Sequence, residues 1–419
     1  MAQSGGPTAV INASLAGVVQ EARRHRAIQE VYGGANGILG VLAEDLIDFN
    51  GESLETLPGL RHTPGAALGT CRYKIDFKKN PGQAAQDMDR LFQVFQAHDI
   101  RHFIYLGGND SQDTSLKVHQ EALGRGWQLR VIGVPKTIDN DLAGTDNCPG
   151  YGSVIKFNAT TVMEIGLDVG SMATEEGACC LVEAMGRRAG WIAAGTVLAK
   201  RGQPANPPHI ILLPEVALDE EKFLRKVQET VAALKYCVVV VGEGVRDAAG
   251  QEVGVDLSRL DAFGHPVLAG AAQRLQDLVQ NQLRIKARSV MLGYAQRVAA
   301  HWASRTDVDN AFACGRAAVR AALHGHSGQM VRIERALAPD GSVKWSTGLA
   351  PLADIANVEH LVPRDWISED GFLPNERFVE YARPLIEGEV KIPTEAGLPR
   401  YVTLAKRKVG RKLAPLSRG

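Results

Sequence analysis

The chemically richest segment of the sequence runs from Pro135 to Asp141, with the order Pro-Lys-Thr-Ile-Asp-Asn-Asp. It follows an apolar run at residues 131–134 that is typical of a buried strand. Lys136 could neutralise phosphate charge, Asp139 could accept a proton from an attacking hydroxyl, and Asp141 could lie near a metal ion. A polar turn before a helix would account for Asp141 but not for the Lys-Thr-Ile-Asp order. The segment therefore favours phosphoryl transfer.

A second polar segment, Leu-Gly-Gly-Asn-Asp-Ser at residues 106–111, follows another apolar run at 102–106. Its two glycines would let the backbone approach a phosphate closely. The side chains of Asn109, Asp110 and Ser111 offer oxygen ligands of the kind that a hydrated Mg²⁺ prefers. A plain turn has the same composition, but the position directly after a strand favours a ligand site.

A glycine turn at Gly5 and Gly6 leads into an amphipathic helical pattern that starts at Val10. Backbone N–H groups at such a turn, next to a helix N-terminus, form an anion site. An ordinary helix cap would look similar. Only residues 1–4 precede the turn, so we expect the strand that normally comes before a phosphate loop to be missing.

Arginines follow several strands from residue 183 onward. Residues 183–191 read Glu-Ala-Met-Gly-Arg-Arg-Ala-Gly-Trp, residues 241–244 read Val-Gly-Glu-Gly, and residues 292–297 read Leu-Gly-Tyr-Ala-Gln-Arg. Arginine binds phosphate through two parallel hydrogen bonds, and glycines beside it allow close approach. A single arginine is usually a surface charge, but the shared placement after strands favours a common site.

The elements that must position these residues alternate between strands and helices. The strand candidates are residues 102–106, 130–134, 178–184, 210–213 and 236–241. The helix candidates are residues 84–97, 151–163, 220–234 and 268–281. Alternating units of this kind predict doubly wound parallel sheets that bind ligands at the carboxyl ends of their strands.

Turn-rich stretches at residues 144–152 and 201–208 suggest where the domains divide. We expect a first domain from residues 1–143, joined by about 290–350, and a second domain from 144–289. Residues 351–419 form a C-terminal extension. Its last 20 residues carry seven Lys/Arg and no acid, a composition typical of a solvated or partner-docked tail.

Composition narrows the function classes. The 419 residues contain 47 Lys+Arg and 47 Asp+Glu, so no global positive field attracts nucleic acid or a membrane surface. No apolar run approaches the roughly 20 residues that span a bilayer, and no secretory signal is visible. The six cysteines form no CxxC pair, which favours reduced thiols in a cytoplasmic protein.

Six motifs, in order between Ser4 and Arg297, resemble those of the 6-phosphofructokinases, and within that family the pyrophosphate-dependent type; they include Leu-Gly-Thr-Cys-Arg at residues 68–72. The resemblance implies two doubly wound, Rossmann-like α/β domains, each of three layers, with the active site in the cleft between them. It also implies a reversible, Mg²⁺-dependent transfer from pyrophosphate to the 1-hydroxyl of fructose 6-phosphate. The products are fructose 1,6-bisphosphate and phosphate, in glycolysis and gluconeogenesis.

The resemblance assigns a role to each matching position. The catalytic group comprises Asp139 as the base, with Lys136, Asp110 and Thr137. The donor-binding group comprises Gly5, Gly6, Arg72, Gly108, Asp110 and Lys136. The sugar-phosphate group comprises Thr137, Ile138, Asp139, Met185, Gly186, Arg187, Glu243, Arg288, Tyr294 and Arg297. The metal ligands would be Asn109 and Asp141.

Donor choice depends on Asp110 and Lys136, where ATP-dependent relatives carry glycine. A carboxylate at position 110 would occupy and charge the space that an α-phosphate needs, at a cost of the order of a few kcal/mol. Lys136 would supply compensating positive charge to the smaller donor. The pair therefore predicts pyrophosphate rather than ATP.

The sequence departs from the family pattern at three positions. Asn109 stands where many relatives have a metal-linked Asp, and Tyr294 where bacterial ATP-dependent enzymes have His. Ala178 stands where those enzymes carry an arginine that reaches a neighbouring subunit, so we expect a homodimer before a tetramer.

Three other functions stay open at this point. The acceptor could be another sugar phosphate, such as sedoheptulose 7-phosphate, or the donor could be ATP. The missing first strand and Asn109 also leave room for a non-catalytic subunit that binds a sugar phosphate.

Overall fold

A computed structural model describes residues 1–53, 55–260, 266–268 and 270–416. The strands are β1 (Ala2–Gln3), β2 (Tyr32–Gly34), β3 (Leu46–Asp48), β4 (His102–Gly107), β5 (Arg130–Pro135), β6 (Ala178–Ala184), β7 (Ile210–Leu212), β8 (Tyr236–Gly242), β9 (Val255–Leu260), β10 (Pro266–Leu268), β11 (Lys286–Met291), β12 (Gln329–Leu337), β13 (Val343–Pro351), β14 (Thr394–Glu395) and β15 (Leu398–Pro399). The α-helices are α1 (Ile11–Ala22), α2 (Ile38–Leu42), α3 (Thr56–Leu60), α4 (Pro81–Ala97), α5 (Asn109–Gly124), α6 (Tyr151–Ser171), α7 (Trp191–Gly195), α8 (Glu220–Leu234), α9 (Ala271–Leu283), α10 (Ala295–Val298), α11 (Arg305–Leu323), α12 (Leu352–Ile355) and α13 (Glu376–Ala382). Short 3₁₀ helices cover Thr196–Lys200, Ala300–Trp302, Arg364–Trp366 and Arg383–Ile386.

Two sheets organise the chain. The first has the order β13-β12-β5-β4-β1-β2-β3, and the second has the order β11-β6-β8-β7. The second sheet is parallel throughout, whereas the first is parallel in its interior and antiparallel at both edges, where β13 pairs with β12 and β3 with β2. The predicted α/β class with two doubly wound domains is confirmed, with antiparallel edge strands as an addition.

Side chains alternate between the two faces of each strand, so both faces of each sheet are covered. On β4, Phe103 and Tyr105 pack with α4 and α5, while Ile104 and Leu106 pack with α1 and α11. The second sheet repeats this arrangement, with Val182 facing α6 and α7 and Leu181 facing α8 and α9. Each sheet with its helices therefore forms three layers.

The expectation that the first strand is missing is wrong. Residues Ala2 and Gln3 form β1, which pairs in parallel with β2 on one side and β4 on the other. Both residues are fully buried, and the Gln3 side chain bonds to Asn12 and to the N–H of Leu68. Two residues are too few for an apolar run to predict a strand.

Helix bounds differ from the predictions for three helices, and the helix predicted at 84–97 begins three residues earlier, at Pro81. The helix predicted at 268–281 begins only at Ala271, because Gly270 has a φ of +99° and Leu268 belongs to β10. The helix predicted at 151–163 continues through Ser171. No helix among the described residues is long and apolar enough to cross a membrane.

The C-terminal extension packs on both sheets. Phe378, Tyr381 and Leu385 join the core of the second sheet, and Leu404 joins a core of the first. The basic tail bonds to its own chain: the buried Glu44 accepts from the N–H groups of Lys412 and Leu413, and Glu52 accepts from those of Ala405 and Lys406. The end of the tail, at 417–419, lies outside the described residues.

Candidate active site

Three loops leave the first sheet at the same edge. They follow β1, β4 and β5, which are parallel neighbours, and they begin at Ser4, Gly108 and Lys136. The strand order reverses at β1, because β2 lies on one side and β4 on the other. Doubly wound sheets bind ligands at such a reversal. The topology therefore brings the first three polar motifs together.

The glycine loop after β1 is built around two cations. The Lys136 ammonium donates to the Gly6 carbonyl at 2.7 Å. Gly5 has a φ of +76°, and an added Cβ there would lie 3.1 Å from Lys136 Nζ. An added Cβ at Gly6 would lie 3.5 Å from Nη1 of Arg297. The backbone conformation thus favours glycine at position 5, and both positions lie beside positive charge.

Arg297 lies at this loop although the family resemblance assigned it to the sugar phosphate. Its Nη1 faces Gly6, its guanidinium stacks 4.2 Å from the Tyr294 ring centroid, and its buried Nε has no hydrogen-bond partner among the described residues. Arg72 lies near the same loop: the Cys71 carbonyl accepts from the Gly5 N–H at 3.1 Å, and the Arg72 charge lowers the pKa of both Lys136 and Asp139.

Lys136 and Asp139 have strongly perturbed ionisation. Burial lowers the pKa of Lys136 to about 8, against the opposing effect of Asp139 and Asp141. Burial raises the pKa of the half-buried Asp139 to about 7, and the negative charges of Asp141 and Glu243 add to this, whereas Lys136 and Arg72 oppose it. A carboxylate with a pKa near neutrality suits a general base.

The loop between Lys136 and Asp141 is held from both sides. Thr137 Oγ1 accepts from the Asp139 N–H at 3.1 Å, whereas the Ile138 side chain packs into the core of the second sheet and does not face the loop's polar groups. Asn140, which the sequence reasoning missed, has a φ of +55°, accepts from the Cys148 N–H and donates to the Tyr381 hydroxyl.

Asp141 has the properties of a cation ligand. Its Oδ1 atom is buried without a hydrogen-bond partner in the described part of the chain, and burial raises the pKa of its carboxyl. No group of three or more His, Cys, Asp or Glu suited to a metal occurs among the described residues. A divalent ion here would therefore rely on Asp139, Asp141 and the phosphate oxygens of a substrate.

Asn109 has another use than metal binding. Its Oδ1 accepts from the Asn357 N–H at 2.7 Å, and its Nδ2 donates to the Val358 carbonyl at 2.9 Å. The extension also reaches the neighbouring loop, where the His360 N–H donates to the Asp141 carbonyl. No sequence pattern indicated this approach of residues 357–360.

Asp110 lies in the first turn of α5, with 75% of its side chain exposed. Its Oδ1 accepts from Lys74 Nζ at 2.9 Å, and this bond is the main reason why the pKa of Lys74 is raised. Gly108 lies beside the Lys136 carbonyl and the Thr137 side chain, which places the exposed Asp110 at the rim of the loop that begins at Lys136. Sequence reasoning missed Lys74, which is two residues beyond Arg72.

The second sheet contributes a set of backbone-anchored groups. Gly186, with a φ of +117°, donates its N–H to Glu243 Oε1 at 3.1 Å, and burial raises the pKa of Glu243. The Met185 N–H donates to Gln296 Oε1 at 3.1 Å. Gln296 is buried and also accepts from Asn158, so it fixes the motif around Arg297 to the second sheet.

Arg187 forms an ion pair with a carboxylate of its own chain. Its Nε and Nη2 donate to the two carboxylate oxygens of Glu252 at 3.0 and 2.9 Å, with 57% of the side chain exposed. This is the two-pronged geometry that a phosphate would use. Nothing in the sequence pattern indicated Glu252.

Two predicted residues lie at the surface. Arg288 is exposed in the middle of β11, the edge strand, opposite Cys180. Tyr294 is 70% exposed. Neither is brought into the loops around Lys136, apart from the contact of Tyr294 with Arg297.

Comparisons with known proteins agree on one family. A family model described as phosphofructokinase matches residues 1–322. The chain is 48% identical over 413 residues to the pyrophosphate–fructose 6-phosphate 1-phosphotransferase of Halomonas elongata, covering 98% of this chain and 97% of that protein. The protein of the same name from Methylococcus capsulatus is 48% identical over 414 residues, covering 99% and 97%. A crystal structure of a pyrophosphate-dependent phosphofructokinase from Nitrosospira multiformis superposes with a TM-score of 0.89 at 43% identity, covering 99% of this chain and 98% of that one.

Proposed function

The chain belongs to the phosphofructokinase family, and we propose that it is a pyrophosphate-dependent fructose 6-phosphate 1-phosphotransferase. It transfers a phosphoryl group from pyrophosphate to the 1-hydroxyl of fructose 6-phosphate, giving fructose 1,6-bisphosphate and phosphate. One observation carries this proposal: the buried Lys136 ammonium lies between the Gly5-Gly6 loop and a carboxyl, Asp139, whose pKa is about 7.

Asp139 is the base. It accepts the proton of the 1-hydroxyl while that oxygen forms a bond to the transferred phosphorus and the bridging P–O bond of pyrophosphate breaks. Because its pKa is about 7, Asp139 is ionised in a large fraction of molecules at neutral pH and still holds a proton tightly enough to favour its transfer. The reverse reaction returns the same proton, which suits a reversible enzyme in glycolysis and gluconeogenesis.

Lys136 and Arg297 hold the donor. Lys136 has a pKa of about 8 and is therefore mostly protonated at pH 7, where it offsets the charge of the leaving phosphate. The backbone of Gly5 and Gly6 lets the donor approach both cations. Asp110 at the rim disfavours the additional phosphate and nucleoside of ATP by charge and volume.

Mg²⁺ fits this site. Asp141, with its unpartnered buried oxygen, would hold the ion, and Asp139 beside it adds negative charge. When bound, the ion supplies positive charge that screens the phosphate oxygens. The negative charge of Asp141 raises the pKa of Asp139, and a bound dication would lower the pKa of both carboxyls.

The sugar phosphate binds on the second sheet. The Gly186 N–H is bonded to Glu243 there. Arg187 binds the phosphate when its two hydrogen bonds to Glu252 are replaced by bonds to phosphate oxygens. Residues 1–143 with about 290–350 form the donor-binding domain, 144–289 form the sugar-phosphate domain, and 351–419 form the extension. The protein acts as a homodimer in the cytoplasm, with the exposed Arg288 directed towards a neighbouring subunit.

The donor assay tests this proposal most directly. The purified protein is incubated with fructose 6-phosphate and Mg²⁺, with either pyrophosphate or ATP, and fructose 1,6-bisphosphate is measured through aldolase. We expect product from pyrophosphate. Product from ATP with none from pyrophosphate would overturn the donor assignment, and a higher kcat/KM for sedoheptulose 7-phosphate would overturn the acceptor. Sugar-phosphate binding by calorimetry without turnover would instead indicate a non-catalytic subunit.

A further inference from the structure

We propose that Lys74 and Asn357 are positioning residues that hold Asp110 at the donor site. With Asn109 and Asp113 they form what we call the donor clamp, which joins the start of α5 to the C-terminal extension. The discrimination against nucleotides therefore depends on a residue far along the chain from the donor loops. This inference rests on the proposed function, because it assigns Asp110 its role in donor choice.

The clamp begins at the side-chain amide of Asn109, which bonds to the backbone of residues 357 and 358. Asn109 accepts from the Asn357 N–H at 2.7 Å and donates to the Val358 carbonyl at 2.9 Å. Only a side chain with both a donor and an acceptor can make this pair of bonds. An aspartate at position 109 would place its charge against the Val358 carbonyl, so the amide is required by the arrival of residues 357 and 358.

The Asn357 side chain carries the contact further. Its φ is +64°, a conformation that asparagine adopts more readily than most residues. Its Nδ2 donates to Asp113 Oδ1 at 3.0 Å, and its Oδ1 accepts from Lys74 Nζ at 3.4 Å. A single asparagine thus contacts both an acid of α5 and the lysine that bonds to Asp110.

Lys74 is the centre of the clamp. Its ammonium bonds to Asp110 at 2.9 Å and lies 3.6 Å from Asp113 Oδ2. Asp113 is in turn fixed by Lys117 at 2.7 Å. Asp113 and the Asn357 amide oxygen therefore fix the position of the Lys74 ammonium, and the ammonium in turn fixes the Asp110 carboxylate.

Asp110 needs this support because, within the described part of the chain, Lys74 makes the one hydrogen bond to its side chain. It is 75% exposed, and α5 has no side-chain cap that would use it. One exposed ion pair between flexible side chains restricts a carboxylate only weakly. Several bonds to one ammonium restrict the carboxylate more, because each additional bond reduces the conformational freedom of the Lys74 side chain that holds it.

The test is a double-mutant cycle between Asn357→Ala and Asp110→Ala. The readouts are the inhibition constant of ATP against pyrophosphate and the KM values of pyrophosphate and fructose 6-phosphate. We expect Asn357→Ala to lower the ATP inhibition constant by about tenfold, the effect of one lost hydrogen bond to a charged group. The KM of fructose 6-phosphate should change by less than about twofold, because the clamp lies on the donor side.

In the Asp110→Ala background, adding Asn357→Ala should change the ATP inhibition constant by less than about twofold, because a positioning residue has nothing left to position. An equal effect in both backgrounds would overturn the proposal, and so would ATP inhibition that Asn357→Ala leaves unchanged.

Val358→Ala is the matched control, because Val358 contributes only its backbone carbonyl to the clamp. It should leave the ATP inhibition constant within about twofold of the wild type. The wild-type protein is assayed first with pyrophosphate. Absence of turnover there contradicts the proposed function, whereas normal wild-type turnover with unaltered ATP inhibition in the variants contradicts the clamp alone.

Discussion

Replacing Lys136 with methionine tests the central electrostatic role in the site. Methionine keeps an unbranched apolar stem of similar length and removes the ammonium that bonds to the Gly6 carbonyl at 2.7 Å. The change therefore deletes one charge and one hydrogen bond with little change in volume.

Lys136→Met should have two separate effects, one on kcat and one on the pH profile. Only 2% of Lys136 is exposed, so water screens its charge poorly, and we expect kcat to fall by about 10² to 10³, as for the loss of one fixed charge-stabilising donor. Lys136 also lowers the pKa of Asp139. Without it that pKa rises above about 7, and the acid side of the pH profile moves to higher pH.

The assay measures pyrophosphate-dependent formation of fructose 1,6-bisphosphate from about pH 6 to about pH 9 at saturating Mg²⁺. The substrates ionise identically with both enzymes, so a difference between the two profiles reports the protein. Lys156→Met is the control, because Lys156 is also buried and donates to a glycine carbonyl, that of Gly388 at 2.6 Å.

The control should retain kcat within about threefold, although it can lose stability. The role of Lys136 is refuted if Lys136→Met also retains kcat within about threefold, or if the acid limb of its pH profile moves to lower pH.

Three further predictions follow from charged groups. Asp139→Ala should lower kcat by about 10² or more, because it removes the carboxylate that accepts the hydroxyl proton; unchanged turnover in a folded variant would contradict this. The wild-type profile should rise as Asp139 ionises at or below about pH 7, because bound Mg²⁺ makes that ionisation easier, and fall as Lys136 loses its proton near about pH 8; activity that still rises at about pH 10 would contradict the second assignment. Burial raises the pKa of Glu21, but its bonds with Arg320 and Arg316 outweigh this and lower the pKa from 4.5 to about 2. This stabilisation is present above about pH 4.5 and lost as the pH falls towards 2, so Glu21→Gln should lower the free energy of unfolding at pH 7 by about 3 kcal/mol in urea titrations, and an unchanged value would argue against it.

Two strand-end motifs of the first sheet could be predicted because each lies directly after a buried apolar run. The loops at Gly108 and Lys136 follow β4 and β5, whose residues are buried almost throughout, so each strand reads as a continuous apolar run in the sequence. The order of elements then placed the loops at one edge of a parallel sheet. This is local information combined with one topological rule.

The partners that complete the site could not be predicted, because they arrive from distant segments. Asn357 meets Asn109 across 248 residues, and Glu252 meets Arg187 across 65. Such pairs depend on tertiary packing and not on spacing. The strand β1 escaped prediction for a different reason, since its stability comes from two neighbouring strands and not from its own two residues.

The C-terminal extension has a consequence for the order in which the chain folds during synthesis. The first sheet needs β12 and β13, the second core needs Phe378 and Tyr381, and the first core needs Leu404. Neither core can close while these residues are still inside the ribosome. Nascent chains that reach only residue 328 therefore expose apolar surface from both sheets, and we expect the cooperative step of folding to follow the synthesis of residues 329–404.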